Sequence, residues 1–266
     1  MKLPKTWLKP IFMTLALFFA SFSLQAETPE EKGLAIAKAG KISDLGWLDM
    51  KAKMKMILRN AHGEESLREI RIKSLEILND GDKSLIIFDK PRDVKGAAFL
   101  SFGHALKADD QWLYLPALKR VKRISSRNKS GPFMGSEFAY EDFSSFEIEK
   151  YTYKFLREEV CEQYICNVIE QYPVDKYSGY TRLISWVDKS ERRVWKTEYY
   201  DRKKALLKTL TYHDYQQYLD KHWRPGQMKM INHQTDKQTV LVYSDYQFKT
   251  GMDDNYFNSN ALKRVH

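Results

Sequence analysis

The 266-residue chain is short of the residues from which several function classes are built. Two cysteines, Cys161 and Cys166, are too few for a disulfide-built scaffold or a multi-cysteine metal cluster. The six histidines, His62, His104, His213, His222, His233 and His266, show no zinc-site spacing on a helix. Glycine (12) and proline (8) are sparse, which excludes collagen-like and low-complexity chains. No G-x-S-x-G turn, phosphate-binding loop or dinucleotide fingerprint occurs. The adjacent acids Glu141 and Asp142 read as surface carboxylates or a helix cap. A mean hydropathy of −0.57 excludes a polytopic membrane protein. Nothing in this inventory points to catalysis, a metal or a cofactor.

Apolar residues form one long run, at the start. Lys2, Lys5 and Lys9 precede Ile11–Leu24, 14 residues interrupted only by Thr14, Ser21 and Ser23, and then comes Leu24-Gln25-Ala26 before Glu27. A basic start, an apolar stretch too short to span a bilayer and a small residue at the cut are the layout of a cleavable secretory signal. Residues 1–26 are therefore expected to be removed and 27–266 to form a single exported domain, which excludes nucleic acid as a partner. Losing Lys2, Lys5 and Lys9 lowers the net charge from +9 to +6. In an oxidising compartment Cys161 and Cys166 are expected to pair, across a hairpin turn.

Thr28-Pro29-Glu30-Glu31 has the composition of a helix start and predicts a helix to about Lys41. From Met50 onward the period changes to two. Met50–Arg59 alternates apolar with basic residues, and about a dozen such segments follow with short polar turns between them. Helical stretches do not alternate with them, which predicts an antiparallel meander, curled or barrel-like, rather than a parallel α/β sheet. Ser130–Phe146 breaks the rhythm and reads as short helical turns packed across the sheet.

Two further patterns carry information. Met50, Met54 and Met56 share one strand face, as do Met228 and Met230; flexible methionines suit either a core or a surface that repacks around apolar ligands. Lys119, Arg120, Lys122, Arg123, Arg127 and Lys129 concentrate positive charge within eleven residues. Such a cluster serves equally as a docking patch for headgroups or an acidic partner, and as a charged sheet edge.

Gln111–Ser125 (with Trp-Leu-Tyr-Leu-Pro), Phe133–Asp142 (Phe-Met-Gly-Ser, with Glu137 in place of aspartate), Asp82–Phe88 and Lys203–Leu210 together resemble the LolA-like outer-membrane lipoprotein-sorting family, over nearly the whole mature chain. The resemblance implies a mainly β fold: an unclosed antiparallel barrel of about 10–12 strands, with an N-terminal helix and short helices covering an apolar cavity. It also implies a non-catalytic periplasmic carrier that binds acyl chains of lipoproteins or lipids and moves them between the inner and outer membranes. Its partners would be an inner-membrane exporter of the resistance-nodulation-division type and an outer-membrane acceptor. An envelope sensor of the same fold is the alternative, and a lipid hydrolase a more distant one.

On this reading Met54, Met56, Ile70, Ile72, Trp112 and Tyr114 are expected to face the cavity, and Phe133, Met134 and Phe138 to form its lid. Trp112 and Tyr114 alternate with Leu113 and Leu115, so periodicity alone does not decide which pair points inward. Lys119, Arg120, Lys122 and Arg123 are the candidate patch for headgroup or partner.

Overall fold

A computed structural model describes residues 1–2 and 26–264. Most of the signal-peptide reading thus lies outside the described residues. No helix among them is long and apolar enough to cross a membrane.

The chain enters through α1 (Pro29–Asp44). The Thr28 hydroxyl accepts from the Glu31 amide at 3.2 Å, and the Glu31 carboxylate accepts from the Thr28 amide at 2.9 Å, closing a capping box. Fifteen strands follow among the described residues: β1 (Asp49–Arg59), β2 (Glu65–Leu75), β3 (Lys83–Lys90), β4 (Ala98–Phe102), β5 (Asp110–Leu115), β6 (Arg120–Ile124), β7 (Tyr151–Cys161), β8 (Tyr164–Pro173), β9 (Arg182–Asp188), β10 (Val194–Tyr200), β11 (Leu206–His213), β12 (Gln216–Tyr218), β13 (His222–Arg224), β14 (Gln227–Asn232) and β15 (Gln238–Phe248). Thirteen of them form one antiparallel sheet in the order β6-β5-β4-β3-β2-β1-β15-β14-β11-β10-β9-β8-β7, and β12 with β13 makes a separate ribbon. The first strand pairs with the last, Met54 opposite Tyr243, while β6 and β7 remain unpaired edges. This is the unclosed antiparallel architecture expected from the sequence, with slightly more strands.

Residues 125–150 join the two edges. Their single-turn helices, Phe133–Gly135 and Tyr140–Phe143, lie on the concave face as the irregular composition of 130–146 predicts. Phe133 sits against Phe99 (centroids 5.2 Å), Tyr140 (5.5 Å) and Phe143 (4.3 Å), and it is fully buried. On the opposite side, Glu137 N–H donates to Thr239 Oγ1 at 3.0 Å and Glu137 Oε2 accepts from Asn232 at 2.6 Å. The segment is thereby pinned between β2–β4 and β14–β15.

β3 and β4 are apolar on both faces because both are covered. Ile86, Phe88 and Phe99 face the inner core, while Leu85, Ile87, Ala98 and Leu100 pack under Phe257 and Leu262 of the C-terminal segment. At the far end Cys161 and Cys166 form a disulfide across the β7–β8 turn, with Cα atoms 5.8 Å apart.

α1 lies along β7, and its closest approach is at Gly33. A Cβ there would stand 2.8 Å from the Lys154 carbonyl carbon and the Phe155 amide nitrogen. Gly33→Ala gains about 1 kcal/mol of helix propensity. The backbone clash costs roughly 1–3 kcal/mol, because the helix itself must move. The substitution is expected to lower the urea midpoint; an unchanged or higher midpoint would show that α1 can shift freely.

Candidate ligand cavity

The concave face is filled in one half of the molecule and open in the other. Over β1–β5, Met54, Met56, Ile70, Phe88, Phe99, Leu113, Phe133 and Phe138 form a dry core in which every side chain is buried. Over β8–β11 lies an open cavity of about 1310 Å³, larger than the roughly 300–1,000 Å³ of sites for drug-sized ligands. Residues 36–44 of α1 form one side, and the loops 105–109, 144–151 and 173–180 form the rim.

The wall alternates by strand parity. Ile169, Leu183, Val187, Val194 and Met228 supply apolar surface; Tyr151, Tyr180, Tyr199, Tyr212 and Tyr215 supply aromatic faces with hydroxyl tips. A polar row crosses this surface: Gln171 on β8, Ser185 on β9 and Thr197 on β10, all more than nine-tenths buried. Ser185 donates to Gln171 Oε1 at 2.9 Å and lies 3.1 Å from the Thr197 hydroxyl. Burial pushes the Tyr212 phenol up to about 12, and its neighbours Thr197 and Tyr199 share hydrogen bonds with it. The wall tyrosines are therefore neutral hydrogen-bonding groups at neutral pH.

A buried ion pair marks the boundary between the two halves. Lys208 Nζ on β11 donates to Asp142 Oδ2 at 2.8 Å and to the Glu137 carbonyl at 2.9 Å, with both charged side chains almost wholly buried. Asp142 also accepts from the Ala139 amide at 2.7 Å and the Tyr180 hydroxyl at 2.8 Å. Glu141 accepts from Ser178 Oγ and the Gly179 amide, both at 2.8 Å. Burial raises its carboxyl above the usual range. Glu141 and Asp142 are thus neither surface acids nor solely a cap; together they tie the crossing segment to the cavity wall.

Ion pairs between separate elements ring the mouth. Lys150–Asp109 (2.7 Å), Lys129–Asp175 (2.6 Å), Lys41–Glu147 (3.1 Å) and Arg224–Asp44 (2.6 Å) hold α1 and the rim loops together. Each such pair contributes little alone, about 0–1 kcal/mol where solvent reaches it, so the rim is a breakable seam. Beside it, burial pushes the Asp82 carboxyl up to about 6. A raised folded-state pKa means the native state holds a proton that the unfolded chain releases, so stability from this group falls as pH rises from about 4 to 6. Asp82→Asn, which keeps an acceptor for the Ile77 amide, is expected to flatten that fall by on the order of 2 kcal/mol in denaturation series between pH 4 and 7. Parallel curves for the two proteins would contradict it.

The residues expected from the sequence to bind ligand are placed elsewhere. None of Met54, Met56, Ile70, Ile72, Trp112, Tyr114, Phe133, Met134 and Phe138 lines the cavity. Met54, Met56, Ile70, Ile72, Phe133 and Phe138 are in the dry core, and Met134 packs against it. Phe133 and Phe138 act as a plug in the β1–β5 half rather than a lid over a hollow. Trp112 and Tyr114 are on the outer face near Phe257 and Leu262, because the C-terminal segment covers that side and Leu113 takes the inward position. Of the methionine pairs, Met228 reaches the cavity and Met230 does not. Arg120, Lys122 and Arg123 are on the edge strand β6, directly after Lys119, and Arg123 pairs with Asp110. The polar row, the tyrosines and Lys208 were missed. Their only sequence signal is a polar residue at an inward parity position, as in Leu183-Ile-Ser-Trp-Val187.

Comparison with known proteins places this geometry. A family profile described only as an uncharacterized protein matches residues 80–264. A Vibrio parahaemolyticus domain, provisionally named as outer-membrane lipoprotein-sorting, is 61% identical with a TM-score of 0.87, covering 88% of this chain and all of that one. The chain belongs to the LolA-like outer-membrane lipoprotein-sorting family. Another structure, a DUF1329 family protein from Desulfovibrio piger, is 28% identical with a TM-score of 0.84, covering 88% of this chain and 99% of that one. A LolA superfamily protein from Nitrosomonas europaea, 22% identical over 85% of this chain and 97% of that one, shares the fold with a TM-score of 0.68. No curated protein matches the chain. LolA-like membership accounts for the open sheet and the helix beside it.

Proposed function

We propose that the protein is a periplasmic carrier, without catalysis, that holds the acyl chains of a lipoprotein or lipid and moves them between the inner and outer membranes. The observation that carries this reading is the cavity of about 1310 Å³ beside α1. Each methylene is worth about 0.8 kcal/mol, so a chain of about 16 carbons costs on the order of 12 kcal/mol to leave in water. A carrier must enclose that surface and later release it. Apolar and aromatic walls serve the first need, and a rim closed by individually weak ion pairs serves the second. A donor such as an inner-membrane exporter of the resistance-nodulation-division type and an outer-membrane acceptor complete the proposal.

Mass analysis of organic extracts of the purified protein tests it. About one equivalent of acyl lipid is the expected result. A lipid-free protein that binds another envelope protein would replace the carrier by a sensor, and turnover of an acyl ester would replace it by a hydrolase.

A further inference from the structure

An enclosure built only for hydrocarbon has no use for hydrogen-bonding groups on its wall, since each one left unpaired against an apolar ligand weakens binding. This wall carries an ordered row of them. Ser185 donates to Gln171 Oε1, so the 3.1 Å link between Ser185 and Thr197 is made by the Thr197 proton. The row therefore points one way and ends at Gln171, whose carbonyl is occupied. Among the described residues, the Gln171 Nε2 group has no partner within hydrogen-bond distance. It is not sealed in protein either: the sealed side-chain polar atom lacking a partner among the described residues is Ser145 Oγ. Gln171 is 7% exposed and lines the cavity, so its amide N–H groups open onto the cavity. An amide nitrogen donates and cannot accept. Beside it on the same face are apolar Leu183, directly across on β9, and Ile169, two residues along β8; Tyr153, directly across on β7, has its hydroxyl committed to the Ile148 carbonyl at 3.1 Å.

We propose that Gln171 is the polar anchor of the cavity and receives the carbonyl oxygen of an acyl ester or acyl amide, with the alkyl chain running over Leu183 and Ile169. This rests on the carrier reading and sharpens it. The cargo class is molecules carrying an acyl linkage, as in phospholipids and acylated proteins, bound through the linkage as well as the tail.

The test uses four probes with the same sixteen-carbon chain: hexadecane, hexadecanol, methyl palmitate and N-methylpalmitamide. Each displaces a fluorescent acyl probe from the delipidated protein. Methyl palmitate and N-methylpalmitamide are expected to bind about tenfold tighter than hexadecane, with hexadecanol behind both. Gln171→Met should erase that preference, leaving the four probes with similar affinities, while circular dichroism shows that the variant is folded. Gln171→Glu keeps an acceptor for Ser185 but places a carboxylate oxygen where the amide nitrogen was, so it should favour hexadecanol. Equal affinities for all four probes, or a carbonyl preference that survives Gln171→Met, would overturn the anchor and leave the carrier intact. Failure of every probe to bind would overturn the carrier reading itself.

Discussion

Lys208→Met is expected to cost about 3–5 kcal/mol of stability. The lysine ammonium is buried beside Asp142, and its removal leaves a carboxylate in the interior with only the Ala139 amide and the Tyr180 hydroxyl as partners. A buried ion pair adds little net stability over a well-packed apolar pair, but breaking one from one side strands an uncompensated charge. The double variant Lys208→Met/Asp142→Asn is therefore expected to recover part of the loss, giving a favourable coupling in a double-mutant cycle. Denaturant midpoints across the cycle measure this; a loss below about 1 kcal/mol for Lys208→Met would place the pair in a solvated setting.

The second large effect separates filled core from open cavity. Val187→Trp puts an indole into space on the β9 wall and is expected to leave the protein folded while lowering retention of an acyl probe at least about tenfold, since little volume remains for the chain. Met56→Asp does the opposite. Met56 is fully buried in the dry core; Arg68, directly opposite on β2, already holds the Met134 carbonyl, so a carboxylate there would be buried at the expense of that contact and the protein is expected to unfold rather than merely lose lipid. Circular dichroism with probe binding on both variants decides the matter. A folded Met56→Asp that has lost its lipid would put the acyl site in the β1–β5 half.

That contrast shows what could be read from the sequence. The capping box at Thr28, the period-two strands, the crossing turns at 130–146 and the Cys161–Cys166 bridge were all legible, because each is set by local spacing or by a short loop. The cavity's position was not. Met54 and Met56 alternate with lysines in the same way whether the space before them is empty or filled. What filled it is Phe133, a residue some 80 positions away. Trp112 and Tyr114 faced outward because of Phe257 and Leu262, again distant in sequence. The polar groups of the open half gave weak signals for the same reason. Lys208 and Asp142, far apart in the chain, acquire their meaning only once β11 meets the crossing segment.

The most direct measurement is covalent mapping of a bound chain. The protein is loaded with a palmitoyl probe carrying a photoactivated diazirine near the end of its chain, irradiated, digested and sequenced by mass spectrometry. Adducts are expected in peptides from residues 36–44 of α1, from β8–β11 around Ile169, Leu183 and Val187, and from β14 around Met228. Adducts confined to β1–β5 and the Phe133–Phe138 segment would contradict a binding site on the β8–β11 wall.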